Sequence, residues 1–76
     1  MSESLTLLSV ALHRGNPYEP RHLRSIYFDT ETREFIARAT IGDSVIVEVT
    51  GANNIAAEMT LSTRLVEVFR ALRAAA

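Results

Sequence analysis

Three residue types that bear on function are missing from this chain of 76 residues: cysteine, tryptophan and lysine. Without cysteine there is no disulfide framework, no thiolate zinc site and no cysteine nucleophile. A short chain without disulfides is typical of the cytoplasm, so we expect a cytoplasmic protein. The longest uncharged run, residues 4–12, is too short to span a bilayer, and we expect no membrane association.

Net charge is nearly absent as well. Nine acidic and eight basic residues leave a formal charge of −1, which indicates neither a nucleic acid nor an acidic membrane as the partner. Every basic residue is arginine, a bias that GC-rich coding would produce. Arginine is also the cation best suited to bidentate or stacked contacts at interfaces, and this is the functional interpretation of the same bias.

The centre of the chain predicts an antiparallel meander. Short runs of β-branched and aromatic residues alternate there with turn residues. The predicted strands and turns are, in order, 24–29, 30–33, 34–41, 42–44 and 45–50. This meander is the part of the chain that the other segments are expected to cover.

The register of the second hairpin follows from its hydrophobic pattern, because a slip of one residue exchanges the two faces. A three-residue turn at 42–44 gives one wholly apolar face and sets Arg38 opposite Glu48 on the other. A two-residue turn at 42–43 agrees better with turn chemistry but would mix charge with apolar side chains. We therefore expect the three-residue turn. The apolar pairs that it predicts are Ile41 with Val45, Ala39 with Val47, and Ala37 with Val49.

The first hairpin follows the same logic. A four-residue turn at 30–33 puts aromatic and aliphatic side chains opposite one another on both faces. The predicted pairs are Phe28 with Phe35, Ile26 with Ala37, Tyr27 with Ile36, and Asp29 with Glu34.

The two ends of the chain complete the predicted fold. Residues 4–14 fit a strand by their alternation, but Gly15 and Pro17 beyond them are typical of a helix end, and we favour a helix. Residues 55–59 fit a helical turn, a short edge strand or a packed loop. A C-terminal helix, capped by Thr60 or Ser62, follows from apolar residues at helical spacing. These residues are Leu61, Leu65, Val68, Phe69 and Leu72.

The sequence therefore predicts a single α+β domain over residues 1–76. Its expected order is α-β-β-β-α, with both helices on one face of the sheet; the alternative makes the N-terminal segment a fourth strand, β-β-β-β-α. The first order resembles the topology of double-stranded RNA-binding domains, and the resemblance concerns element order alone. The basic residues that this family carries at the start of its last helix are replaced here by residues 60–64, which include one cation, Arg64.

Candidate catalytic and metal-binding residues are few. His13 and His22 have no carboxylate at close spacing and no third ligand, which indicates two surface histidines beside a loop. Asp29, Glu31 and Glu34 lack the glycine and final glutamate of a calcium loop, which indicates a solvated turn. We expect a protein that is not an enzyme and that holds no cofactor and no metal.

Two surfaces remain as candidate binding sites. The first is the open face of the meander, where three apolar side chains surround an ion pair. Its residues are Tyr27, Ile36, Arg38, Ile46 and Glu48.

The second candidate is the polar segment before and at the first predicted strand, which collects residue types that dominate protein hot spots and also stack on bases. Its residues are Arg14, Tyr18, Arg21, His22 and Arg24.

The leading hypothesis is a protein-binding module that associates with itself or with a larger protein. A small inhibitor or adaptor, such as one encoded by a phage or another mobile element, fits the size of the chain. The alternative is nucleic-acid binding through arginines of the polar segment and the last helix. These arginines are Arg14, Arg21, Arg24, Arg70 and Arg73.

Overall fold

The computed structural model describes residues 4–75 and contains four strands followed by one helix. The elements are β1 (Leu5–His13), β2 (His22–Asp29), β3 (Glu34–Ile41), β4 (Ser44–Gly51) and α1 (Asn54–Ala75). The strands form one antiparallel sheet in the order β1-β2-β3-β4. The helix lies across β4 and β3 and reaches β2. Within residues 4–75, α1 and β1 make no close approach.

The N-terminal segment is a strand, so the prediction of an N-terminal helix is wrong and the alternative with four strands is confirmed. β1 pairs with β2 along its whole length, with a bulge between Leu7 and Ser9. This pairing satisfies the backbone hydrogen bonds at the edge that β2 would otherwise expose. That stabilisation comes from residues distant in the chain, and the glycine and proline that suggested a helix end give no indication of it. The element order also departs from that of double-stranded RNA-binding domains, so the resemblance does not extend to the fold.

The glycine and proline that suggested a helix end belong instead to the connection between β1 and β2. Gly15 has a φ of +89°, and a side chain there would meet the Glu19 carbonyl oxygen and the Arg21 nitrogen at 2.9 Å. The Asn16 side chain accepts hydrogen bonds from the Tyr18 and Glu19 backbone amides at 2.7 and 3.0 Å. The loop is therefore a tight, internally bonded turn that only glycine can enter.

The first hairpin has the predicted register. Phe28 lies opposite Phe35, with ring centroids 5.0 Å apart, and the remaining three pairs are also as predicted. The Asp29 carboxylate closes the turn by accepting hydrogen bonds from backbone amides, of which that of Glu31 is the shorter at 2.9 Å. This bond holds the pKa of Asp29 below its ordinary value.

The second hairpin has both the two-residue turn that turn chemistry favours and the apolar face that the hydrophobic pattern requires. The turn has two residues, Gly42 and Asp43, and the positive φ at Gly42 is the pattern of a type II′ turn. A bulge on β4 then inserts one residue and restores the predicted pairs of Ala37 and Ala39. The prediction of a three-residue turn is wrong, because it did not consider a bulge. The pairs beside the turn shift accordingly, and Ile41 lies opposite Ser44 and not Val45.

The core lies between α1 and the β2–β4 half of the sheet. Three alanines with no exposed surface, Ala37, Ala39 and Ala57, let the helix approach the strands closely. The backbone of Gly51 comes so near that an added side chain would meet the Ala57 nitrogen at 2.5 Å. The remaining buried apolar residues are Ile26, Val49, Leu61, Leu65 and Phe69.

The helix begins earlier than its apolar spacing alone indicated. Residues 55–59 are helical, and Asn53 caps the helix by accepting a hydrogen bond from the Ala56 amide at 2.8 Å. The predicted caps Thr60 and Ser62 lie inside the helix, where the Thr60 hydroxyl donates to the Ala56 carbonyl at 2.9 Å.

Candidate interaction surface

The face of the sheet opposite α1, here called the outer face, is open. Residues paired across antiparallel strands share a face, so the strand register assigns each side chain to one side. Three rows of side chains cross all four strands of the outer face, and a shorter row of Leu5, Asp29 and Glu34 lies at its end. The first contains Leu7, Tyr27, Ile36 and Thr50, the second Val10, Ser25, Arg38 and Glu48, and the third Leu12, Leu23, Thr40 and Val45.

β1 places three of its large apolar side chains on the outer face, while Leu8, which is 49% exposed, lies in the bulge outside the paired register. Leu7, Val10 and Leu12 are 54%, 57% and 50% exposed. The residues of β1 paired with the helix-facing side of β2 are small or polar: Thr6, Ser9, Ala11 and His13. A strand with one wet face normally directs its apolar side chains towards the covering layer. β1 does the reverse, which is the pattern of a strand whose outer face is covered by something else.

The apolar part of the outer face is continuous across β1, β2 and β3. Its members are Leu7, Val10, Leu12, Leu23, Tyr27 and Ile36, here called the outer patch. Leu23 is 41% exposed, and Tyr27 and Ile36 are partly exposed. Grouped apolar side chains of this kind mark interaction sites more often than scattered ones do.

An ion pair borders the outer patch. The Arg38 Nε donates to Glu48 Oε2 at 2.7 Å, and a second guanidinium nitrogen lies 2.6 Å from the same oxygen. The Arg38 guanidinium also lies 4.8 Å from the centroid of the Tyr27 ring. The predicted pair is confirmed, and it joins the apolar side of the outer face to its polar side.

Ile46 does not belong to this surface. It occupies the β4 bulge, is partly buried and packs against the core. The sequence placed it beside Tyr27 and Ile36, because a regular ladder would turn its side chain outward. Those two residues do lie on the outer face, and their role in binding stays a prediction.

The predicted polar segment is divided by the fold, and His22 is its buried part. His22 is 2% exposed, so its interpretation as a surface histidine is wrong. Its ring packs against Phe69 and stacks on His13, with centroids 5.2 and 5.1 Å away. Burial, followed by the charge of Arg24, lowers the pKa of His13, while Glu19 and Glu58 act in the opposite direction.

His22 also belongs to a polar chain that links the loop, the sheet and the helix. Its Nδ1 donates to the Pro20 carbonyl at 2.9 Å, since a carbonyl can only accept. Its Nε2 accepts from Arg24 Nε at 3.0 Å, and another Arg24 nitrogen donates to the Ser62 hydroxyl at 3.0 Å. Arg24 is therefore committed to internal contacts on the helix side of the sheet.

The rest of the polar segment lies at the surface. Arg73 donates to the Tyr18 carbonyl at 2.6 Å, and its guanidinium lies 5.7 Å from the Tyr18 ring centroid, so these two residues fix the loop to the end of α1. Arg14 and Arg21 are exposed. The structure thus brings His22 and Arg24 together, ties Tyr18 to the helix, and leaves two arginines in solvent.

The molecule has a shallow groove of about 350 Å³ between β4 and α1. It is lined by Ile46, Val47, Glu48, Arg64, Glu67 and Val68. Over residues 4–75, no three His, Cys, Asp or Glu side chains lie close enough together to hold a metal ion. The helix in that part of the chain is not apolar enough over its length to cross a membrane.

Comparisons with protein-family models, with curated proteins and with solved structures give no match for this chain. The outer face is therefore interpreted from its own chemistry.

The apolar side chains that β1 adds to the outer patch were not predicted from the sequence. The alternation of residues 6–12 was visible, but the segment was assigned to a helix. The alternation also breaks at the bulge, where the outward position passes from Leu7 to Val10. A strand assignment alone would therefore have predicted one half of β1 on the wrong face.

Proposed function

We propose that this chain is a small, non-catalytic protein-binding module that acts through the outer patch. The observation that supports the proposal most is the reversed polarity of β1, whose leucine and valine side chains lie on the uncovered side of the sheet. Half-exposed Leu7, Val10 and Leu12 gain hydrophobic stabilisation only when another surface covers them.

The chemistry of the outer face fits a protein surface as the ligand. It combines an apolar centre with a charged border at Arg38 and Glu48, an arrangement that many protein interfaces share. An aromatic residue, Tyr27, lies next to that border under the arginine. A module of this kind acts by occupying a surface of its partner, as a cytoplasmic inhibitor or adaptor does.

Nucleic-acid binding, the other hypothesis from the sequence, gains no support from the site. Arg24 is bonded to His22 and Ser62, and Arg73 is bonded to the Tyr18 carbonyl. The remaining three arginines of this hypothesis, Arg14, Arg21 and Arg70, are exposed but too few for the phosphate contacts that drive such binding. The proposal therefore predicts no retention on heparin at low salt. Retention that falls steeply as salt rises would favour the nucleic-acid hypothesis instead.

A matched pair of leucine variants tests the proposal. Leu12 on the outer patch and Leu72 on α1 are 50% and 53% exposed, so Leu12→Glu and Leu72→Glu remove similar exposed area and add the same charge. We expect the immobilised wild-type chain and Leu72→Glu to capture the same protein, either a second copy or a different chain, and Leu12→Glu to lose it. Equal capture by both variants would contradict a role for the outer patch.

A further inference from the structure

Within residues 4–75, no second layer covers β1 on either side of the sheet. α1 covers β3 and β4, reaches β2, and makes no close approach to β1 within residues 4–75. Stable domains are built from at least two packed layers. The helix side of β1 is polar or small, whereas its outer side is apolar. The missing layer therefore belongs on the outer face.

The chain as a whole exposes more surface than a compact monomer of its mass. A compact monomer of 8.4 kDa exposes roughly 4,600 Å² by the usual scaling with mass. This chain exposes 5372 Å². The excess is close to the roughly 800 Å² that each partner buries in a standard protein interface. The radius of gyration, 13.0 Å, likewise exceeds the roughly 11.4 Å expected for a compact chain of this length.

The outer patch is suited to a copy of itself. The charged side chains of the outer face lie at the borders of the patch, Asp29 and Glu34 on one side and the Arg38–Glu48 pair on another, so a two-fold axis through its centre brings apolar surface onto apolar surface. The ion pair of Arg38 and Glu48 is internally neutral and lies at the border. A net charge of −1 also gives two chains little mutual repulsion.

From these observations we infer that two copies of this chain pack their outer patches face to face, forming a two-sheet sandwich with α1 of each copy on the outside. This inference rests on the proposed function and names the partner of the same surface. The second copy supplies the layer that β1 lacks. Sheets packed in this way interdigitate the side chains of their inner faces, here Leu7, Val10, Leu12 and Leu23 with their counterparts.

Two neighbouring residues of β1 provide a matched test. Val10 and Ser9 are both exposed, follow one another in the chain and lie on opposite faces of the sheet. In sedimentation equilibrium, we expect the wild-type chain to be a dimer. Val10→Glu should raise the dimer dissociation constant at least about 100-fold, because two carboxylates would be buried without partners. Ser9→Glu, with the same charge on the helix side, should change it less than about 3-fold.

Circular dichroism of each variant separates loss of the dimer from loss of the fold. If Val10→Glu does not fold, Leu12→Arg places a charge in another row of the outer patch and decides the question in its place. A dimer that Val10→Glu and Leu12→Arg both leave intact would overturn the inference and the proposed surface together. A monomeric wild-type chain whose outer patch binds a different protein would overturn the second copy as the partner and leave the proposed function standing.

Discussion

His22 connects three parts of the molecule through one side chain. It is buried against Phe69, bonded to the Pro20 carbonyl, and bonded to Arg24, which continues to Ser62 on α1. Buried polar groups that satisfy one another hold a specific arrangement, whereas removing one member leaves the others unpaired. The network therefore fixes the loop and the helix relative to β2.

Replacing His22 with alanine should be among the more damaging single changes in the chain. His22→Ala leaves a cavity beside Phe69 and removes the acceptor of Arg24 Nε. We expect the free energy of unfolding to fall by about 2–4 kcal/mol. Urea denaturation at one protein concentration measures this change. The exposed neighbour Arg21→Ala should stay within about 0.5 kcal/mol of wild type. A similar small change for His22→Ala would mean that the network contributes little.

His13 should make stability depend on pH. Its pKa in the folded chain lies below the ordinary value of 6.5, because burial, and then the charge of Arg24, disfavour the protonated ring. The unfolded chain therefore binds this proton more readily. The stabilisation from His13 is complete above its unfolded pKa and is lost as the pH falls towards the folded pKa.

The measurement is the slope of unfolding free energy against pH between about 7.5 and 5.5. We expect the wild-type chain to lose stability as the pH falls through this range, and His13→Asn to lose less, since asparagine does not titrate. An unchanged slope in His13→Asn would show that other groups carry the dependence.

Among the elements, α1 is capped at its N-terminus by one side chain, that of Asn53. Asn53 accepts the Ala56 amide at 2.8 Å, whereas Asn54, the first helical residue, is exposed. Asn53→Ala should lower the free energy of unfolding by about 1 kcal/mol. Asn54→Ala should leave it within about 0.5 kcal/mol, because this change removes no cap. Thermal or urea unfolding of the two variants checks the difference, and equal losses would place the cap elsewhere.

The strands show which pairs of residues the hydrophobic pattern can predict and which it cannot. The pairs of Phe28 with Phe35 and Arg38 with Glu48 follow from matching faces, and both are confirmed. The pattern could not place the bulge on β4, since a bulge restores the register that the pattern requires while changing the turn. Ile46 was misplaced for that reason. For the same reason the sequence could not predict which side chains of β1 lie on the outer face, because its bulge changes the outward positions after Leu7.

The N-terminal segment was misassigned for a different physical reason. Gly15 and Pro17 are residue types that end helices and strands alike, and the local sequence does not show which of the two precedes them. The choice of a strand depends on pairing with β2, a gain that comes from residues 22–29 and not from the segment itself. The burial of His22 was not predicted for a similar reason, because it depends on Phe69, which is remote in the chain.

For the whole molecule, the central feature is a sheet with one helix on one side and apolar side chains on both. The helix covers β3 and β4 and reaches β2 on the inner face, and the outer patch spans β1, β2 and β3 on the opposite face. Although eight apolar residues of the described part of the chain are buried in the core, the chain exposes more surface than a compact monomer of its mass. A second copy on the outer face would give each half of the sheet a covering layer.

The most direct test of this arrangement is an isotope-filtered NMR experiment on an equal mixture of labelled and unlabelled chains. Face-to-face packing predicts intermolecular contacts from the methyl groups of Leu7, Val10 and Leu12, including contacts to the Tyr27 ring of the other copy. The exposed α1 residue Val66 should show none, although it is 49% exposed. Intermolecular contacts confined to α1, or none at a concentration where sedimentation shows a dimer, would contradict the account.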